Sequence, residues 1–237
     1  SSDGTREICI EYAEQYPDLI RLQLHHRENN HLLYEQPTHL FQYWYNTLSA
    51  RGKYIAVLSG DDYWTDPHKL QKQVSFLETN PDYSLTHHNA TLIDSQGQAQ
   101  GKYFSSSQRR VTDSNELIQA PVLVAGSAVF RHVFQQVPPA YMSSLCEDRL
   151  LTSTLGKYGK GKYFPETKSV YRQHNSGLWT GGNKITKITD KIKYLYVIFE
   201  VVCCEEPCYR KIRLQKVNLK EALYRTFING SDYRSGF

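Results

Sequence analysis

The stretch Tyr54–Leu70, YIAVLSGDDYWTDPHKL, decides how the rest of the chain is read. Tyr54-Ile55-Ala56-Val57-Leu58 is an apolar run with β-branched members, long enough for one buried strand and too short for a helix. Ser59-Gly60 turns the chain, and Asp61 and Asp62 follow just past the strand's carboxyl end, where open α/β sheets bind their ligands. Asp66 is a good N-cap and Pro67 a good first helical residue. The spacing therefore predicts a helix at once, over Lys69–Thr79, with Leu70, Val74 and Leu77 facing inward.

Neighbouring carboxylates repel, so a chain that keeps two of them at a strand end needs a compensating cation. Hard oxygen ligands suit Mg²⁺ or Mn²⁺, which bind mainly through one or two carboxylates and substrate phosphates. An isolated Gly-Asp-Asp reads more simply as a turn, because Gly and Asp dominate turns. The whole string, with an apolar strand, GDDYW and a capped DP helix together, resembles the nucleotide-sugar glycosyltransferases of family 2, which have the GT-A fold. In that family the strand-end acids bind a nucleoside-diphosphate sugar through a divalent metal. The resemblance implies that Asp61 contacts the sugar nucleotide and that Asp62 holds Mn²⁺ or Mg²⁺. Many members carry an acid where this chain has Ser59, which leaves the division of labour between the two carboxylates open.

The resemblance extends through most of residues 1–182 and marks further positions. Ser1-Ser2-Asp3-Gly4-Thr5 looks like the tail of the family's D-G-S-x-D-G-T loop, which implies a nucleotide contact for Asp3. Asp3 equally suits the N-cap of a helix Thr5–Tyr16 whose inner face is Ile8, Tyr12 and Tyr16. The strand that precedes this loop in the family has no counterpart here, so a truncated start and a gap in the sheet are expected. Cys146-Glu147-Asp148 opens a helix to about Tyr158, with Leu151 and Leu155 inward and Gly159 as a stop. Glycosyl transfer with inversion needs a base to take the proton of the attacking hydroxyl. The family places its base in such an acidic pair, which implies Asp148 as the base and Glu147 as its neighbour at the sugar nucleotide. Acids in a first helical turn also simply favour the helix dipole.

A strand Lys168–Arg172 leads through Gln173 to His174 and a Gly-rich loop, residues 175–182. Related enzymes place a histidine after such a strand near the metal or the pyrophosphate, which implies His174 as a metal ligand; alone, it reads as a loop histidine. Arg172 is a candidate phosphate contact, and Trp64 or Trp179 a flat face for a sugar ring.

The remaining pattern fills in an α/β chain. Leu19–Leu24 alternates like a strand, and His25-His26 then read as solvent-facing. His39–Ala50 is an aromatic-rich helix, Tyr83–Asp94 a strand before a turn at 95–97, and Pro121–Phe130 a buried strand interrupted by Gly126-Ser127. The polar loop Gln98–Arg110 is where acceptor-specific variation is expected. From Asn183 onward the pattern is helical, with Ile185, Ile188 and Ile192, then Tyr194–Cys204, then a last helix Tyr209–Phe227.

With 237 residues, 40% of them hydrophobic, the chain is long enough to bury a sizeable core. A net charge of +4 suits a phosphate-bearing substrate, and without a basic run it argues against nucleic-acid binding. Five cysteines without a C-x-x-C pair argue against a disulfide framework, so a cytoplasmic setting is expected. Sequons at Asn89 and Asn229 carry little weight there. Lys211, Arg213, Lys216 and Lys220 suit an anionic membrane surface at its inner face, although a solvated helical face is the commoner explanation. The expected architecture is a GT-A-like, Rossmann-related mixed sheet flanked by helices over residues 1–182, with a C-terminal helical extension over 183–237. The expected activity moves a sugar from a nucleoside-diphosphate donor, first of all a UDP-sugar, to a hydroxyl of a glycan or lipid-linked acceptor in cell-surface polysaccharide synthesis. Two alternatives are a sugar nucleotidyltransferase and a non-catalytic carbohydrate-binding relative of the fold.

Overall fold

The computed structural model describes residues 3–33, 36–104, 111–119, 123–174, 184–202, 218 and 220. Helix α1 (Thr5–Gln15) comes first, and a small hairpin of β1 (Leu32–Leu33) and β2 (Gln36–Pro37) precedes helix α2 (Leu40–Ser49). Strand β3 (Tyr54–Ala56) and the short β4 (Tyr63–Trp64) flank the acidic turn, and α3 (Lys69–Thr79) follows. Then come β5 (Tyr83–Ile93), β6 (Ala99–Lys102), β7 (Val111–Thr112), α4 (Ser114–Ile118) and β8 (Val129–Arg131). Helix α5 (Glu147–Gly156), strand β9 (Lys160–Arg172) and helix α6 (Lys184–Val197) complete the order, α6 running into a π-turn, Ile198–Val202.

The main sheet has the order β3-β8-β5-β9-β4, with β6 on β5 and β7 on β9. Strands β5 and β9 run parallel from Tyr83↔Lys160 to Ile93↔Arg172, and the other pairings are antiparallel. This is a curled mixed sheet flanked by helices, as a GT-A-like fold requires. The centre of β5, Ser84 to Ala90, is buried on both faces, as expected of an interior strand covered on each side. On one face Leu85 joins a core built from Trp44, Ile55, Phe130, Leu150, Leu151, Leu155, Leu195 and Ile198. On the other, Thr86 meets α3: Gln73 Nε2 donates to Thr86 Oγ1 at 3.2 Å and to Ser127 O at 3.0 Å.

That contact corrects the expected inner face of α3. Lys69, Gln73 and Leu77 are buried, whereas Leu70 is 38% exposed. The helix is turned by one position from the apolar stripe, and the two acceptors that the Gln73 side-chain N–H₂ finds inside offset part of the cost of burying it. The inner face assigned to α1 is also corrected. Ile8, Tyr12 and Tyr16 are 56%, 53% and 40% exposed, and no residue of α1 is buried. The alternating segment 19–24 pairs with no strand among the described residues, and Leu19 and Leu24 are exposed. Alternation alone does not make a strand when no edge is offered to it. His25 is not solvent-facing: its ring packs edge-on against Phe41 at 5.2 Å and Tyr45 at 4.9 Å. Of the strand expected over 121–130, residues 121 and 122 lie outside the described residues; the interruption at Gly126-Ser127 is a 3₁₀ turn, Ala125–Ser127, and the strand proper, β8, begins only at Val129. Asn89 lies buried in β5, where its side-chain Nδ2 donates to Phe104 O and its Oδ1 accepts from Phe104 N, so this sequon is no surface acceptor. The Gly-rich loop 175–182 with Trp179, the cysteines at 203, 204 and 208, Asn229, and the last helix's Lys211, Arg213 and Lys216 lie outside the described residues. No helix of the described residues is long and apolar enough to cross a membrane.

Helices α4 and α5 meet at Gly156. A Cβ there would stand 2.7 Å from Ile118 N and 2.9 Å from Ser114 O, both main-chain atoms that cannot swing aside. Gly156→Ala is expected to destabilise the protein by about 2 kcal/mol through this overpacking, more than the ~1 kcal/mol that alanine's helix preference returns. A fall in Tm of several degrees in a thermal melt checks this; an unchanged or raised Tm contradicts it.

Candidate active site

Strand β3 delivers the chain to Asp61 and Asp62, and β4 fastens the turn to the far end of β9 through Tyr63↔Val170 and Trp64↔Ser169. The acidic pair, early in the chain, is thereby held against Arg172 and His174, 110 or more positions later. Arg172 N donates to Asp62 Oδ1 at 2.9 Å, and Arg172 Nε to the main-chain oxygen of Asp61 at 3.2 Å. Arg172 Nη1 reaches Asp94 O at 3.4 Å, so the guanidinium clamps the turn through carbonyls. His174 Nε2 lies 3.0 Å from Asp61 Oδ2. On the other side of Asp62, a Cβ at Gly126 would come 3.6 Å from its Oδ2, so the bare glycine leaves that oxygen room.

These residues line one cavity of about 490 Å³ together with Ser59, Glu147, Asp148, Arg149, Tyr171, His39, Lys191 and Tyr194. Six of the candidates read from the sequence, Asp61, Asp62, Glu147, Asp148, Arg172 and His174, therefore share a single space. Trp64 and Asp3 stand off its wall. Trp64 packs its ring over Lys69 Nζ at 4.3 Å and donates its Nε1 to Gly126 O at 2.8 Å, which braces the loop behind Asp62. Asp3 Oδ1 accepts from Thr5 N at 3.1 Å at the start of α1, where Gly4 occupies the N-cap position. His39, Tyr171, Arg149, Lys191 and Tyr194 had no signal of their own in the sequence. They come to the wall through the packing of α2, α5, β9 and α6 against one another, which no local pattern reports.

Electrostatics divide the cavity into two acidic groups. Burial, with Asp61 as a further cause, pushes the Asp62 carboxyl up to about 6, against the opposing hydrogen bond from Arg172 N. Burial first and Glu147 second push Asp148 up to about 6 as well. The Tyr171 hydroxyl feels Asp62, Asp61 and Asp148 together and is raised, chiefly by burial. A carboxyl poised near neutral pH is what proton abstraction at pH 7 calls for.

The Asp148 shift carries a stability consequence. A carboxyl whose value is raised on folding contributes stability below its unfolded value, near 3.9, and loses it as pH rises through its folded value, about 6. Asp148→Asn keeps an acceptor for Arg149 N, which the native Oδ1 holds at 2.8 Å, and removes the charge. The variant is expected to match the parent near pH 4 and to exceed it by about 3 kcal/mol, roughly 6–12 degrees in Tm, at pH 8. Melting curves at the two pH values check this, and a gain that is larger at pH 4 contradicts it.

Whether a divalent cation fits can be asked of the donor set. Among the described residues no group of three or more His, Cys, Asp or Glu side chains stands placed to hold a metal by itself. Two adjacent carboxylates, one with an oxygen left room by Gly126, instead suit an ion that takes one or two protein oxygens and completes its shell with substrate phosphates and water. The residues fit a cation of that kind.

The chain is similar in sequence to several known proteins. The model of the family described as glycosyl transferase family 2 matches residues 1–136. The uncharacterized protein Rv1520 of Mycobacterium tuberculosis is 32% identical over 181 residues, covering 76% of this chain and 49% of that protein. The uncharacterized protein Mb1547 of Mycobacterium bovis matches to the same extent. The provisionally named glycosyltransferase EpsE of Bacillus subtilis is 34% identical over 97 residues, 41% of this chain and 32% of its own length. The chain thus spans about half the length of the mycobacterial relatives it matches. The family match contains Asp61 and Asp62, whereas Asp148, Arg172 and His174 lie beyond it.

Proposed function

This chain belongs to glycosyl transferase family 2, and from that premise we propose that it transfers a sugar from a nucleoside-diphosphate donor to a hydroxyl acceptor with inversion at the anomeric carbon. The observation that carries the proposal is the single cavity in which the Asp61–Asp62 turn faces the same space as Asp148. The donor's diphosphate occupies the side of Asp62, Asp61 and His174, with Asp62 as the residue that holds Mn²⁺ or Mg²⁺. The cation, when bound, neutralises charge on the phosphates and on the departing nucleotide. Asp61, fixed by its contact with His174, faces the sugar nucleotide, while Arg172 N holds the Asp62 carboxylate and the Arg172 guanidinium holds the main-chain oxygen of Asp61. Glu147 flanks the donor sugar.

Asp148 then takes the proton of the acceptor hydroxyl as its oxygen attacks the anomeric carbon, and the bond from that carbon to the leaving phosphate breaks. With its carboxyl raised to about 6, Asp148 is ionised at pH 7.5 yet basic enough to accept the proton. Tyrosines 103, 171 and 194 in the lining supply flat, half-polar surfaces of the kind that contact sugars. A UDP-hexose or UDP-N-acetylhexosamine as donor, and a glycan or lipid-linked acceptor for cell-surface polysaccharide, complete the reading, with the work done in the cytoplasm or at the inner face of a membrane.

The experiment is a binding screen of UDP-, GDP- and dTDP-sugars by thermal shift, with and without Mn²⁺. The proposal expects one nucleotide class to raise Tm only when Mn²⁺ is present; no shift with any donor under either condition contradicts it.

A further inference from the structure

His39 precedes α2 and is 108 positions from Glu147 in sequence, yet its Nε2 lies 2.6 Å from Glu147 Oε1, at the wall of the cavity. The contact joins the start of α2 to the first turn of α5. Glu147 is 15% exposed along its side chain and His39 47%, so the carboxylate is sheltered while the imidazole still reaches water. The other oxygen of Glu147, Oε2, is buried without a hydrogen-bond partner among the described residues, as is the hydroxyl of Tyr43, one turn along α2. A sheltered carboxylate beside a second one at Asp148 is costly unless a cation meets it.

We propose that His39 is a positioning residue for the transfer step: it draws Glu147 toward α2, away from the reacting oxygen, and as an imidazolium offsets the charge that Glu147 otherwise imposes on Asp148. The proposal rests on Asp148 being the base.

The charged and titratable groups around Asp148 single out His39 as the adjustable one. From α5 itself and the residue before it come Cys146, Glu147 and Arg149; from α2, His39 and Tyr43; from the sheet side, Tyr103 and Tyr171; from α6, Asp190, Lys191 and Tyr194. Burial raises Tyr43, Tyr103, Tyr171, Tyr194 and the Cys146 thiol, so all five are neutral at pH 7. Arg149 is a permanent cation whose guanidinium lies over the Tyr194 ring at 5.9 Å. Asp190 is tied to the loop before α5, accepting from Ser144 Oγ and Leu145 N. His39 is raised above 6.5, first by its bond to Glu147 and against a lowering by burial. Glu147 and Asp148 both favour its protonated form.

The test follows the carboxyl carbon of Asp148 and the imidazole of His39 by NMR titration of the isotopically labelled protein. It needs no substrate. His39→Gln keeps an N–H donor for Glu147 and removes only the charge. The Asp148 midpoint is then expected to rise by about half to one pH unit. Glu147→Gln is expected to lower the Asp148 midpoint and to bring His39 back toward its ordinary value. An Asp148 midpoint that does not move in His39→Gln overturns the proposal, because a purely structural contact survives in that variant. Unchanged amide shifts away from the cavity show that the variants fold. If the midpoints move as stated while Asp148→Asn turns over normally, the coupling stands and the base assignment falls; the reverse pattern removes His39 alone.

Discussion

Asp62→Asn is expected to abolish cation-dependent binding of the sugar donor, a loss on the order of a thousandfold in donor affinity at saturating Mn²⁺. The substitution is nearly isosteric. The amide oxygen of asparagine can accept from Arg172 N as Asp62 Oδ1 does at 2.9 Å, so the turn and its attachment to β9 should survive. What disappears is the negative charge on the carboxyl that faces the cavity beside Gly126. The native carboxyl is raised to about 6 by burial, so protons compete with the cation at that site. In the parent protein, Mn²⁺-dependent donor binding should therefore weaken below pH 6 and level off above pH 7. In Asp62→Asn that pH dependence should vanish along with the binding. Calorimetric titration of a UDP-sugar with and without Mn²⁺ measures both. Parent-like, Mn²⁺-dependent affinity in the variant contradicts the assignment of the cation to Asp62.

The second large effect falls on chemistry and spares binding. Asp148→Asn should leave donor affinity within about twofold of the parent and lower the transfer rate by 10²–10⁴-fold, the usual worth of a positioned general base. Among the described residues its side chain makes no hydrogen bond to the Asp61–Asp62 turn. Its bond to Arg149 N is local to α5, and an asparagine oxygen can still accept it. The variant should in fact be the more stable protein at pH 8, so that loss of turnover cannot be laid to unfolding. Initial rates against acceptor concentration, with donor saturating, separate kcat from KM; a normal kcat refutes the role given to Asp148.

The parts of the fold that were legible were those in which one local signal sufficed. An apolar run ending in Gly-Asp-Asp placed β3 and the acidic turn, although the strand stops at Ala56 and Leu58 is exposed, and Asp66-Pro67 placed the start of α3 within two residues. The two ends of β5 and the inward leucines of α5, Leu151 and Leu155, followed from turn residues and helical spacing. Orientation was harder. The inner face of α3 runs through Lys69 and Gln73, where Thr86 and Ser127 accept from Gln73 and the Trp64 ring covers Lys69 Nζ, contacts that the sequence of α3 does not reveal. The strand expected over 19–24 had a strand's alternation but needed a partner, and pairing is a non-local property. The same limit governs the cavity. Asp61, Asp62 and Asp148 stand out in any reading of the chain, whereas His39 stands out only once α2 has packed against α5. Trp64 looked like a sugar platform, and in the fold its ring covers Lys69 while its N–H holds Gly126.

Release of the nucleoside diphosphate is the most direct measurement of the central claim, that an acidic turn at the end of β3 engages a sugar donor through a divalent cation for transfer. The donor that passes the binding screen is incubated with the protein in Mn²⁺ and in excess chelator, and free nucleotide is followed over time. The account predicts slow hydrolytic release in Mn²⁺, none in chelator, and none from Asp62→Asn. Equal release with and without the metal, or binding of the donor with no release under any condition, would contradict it.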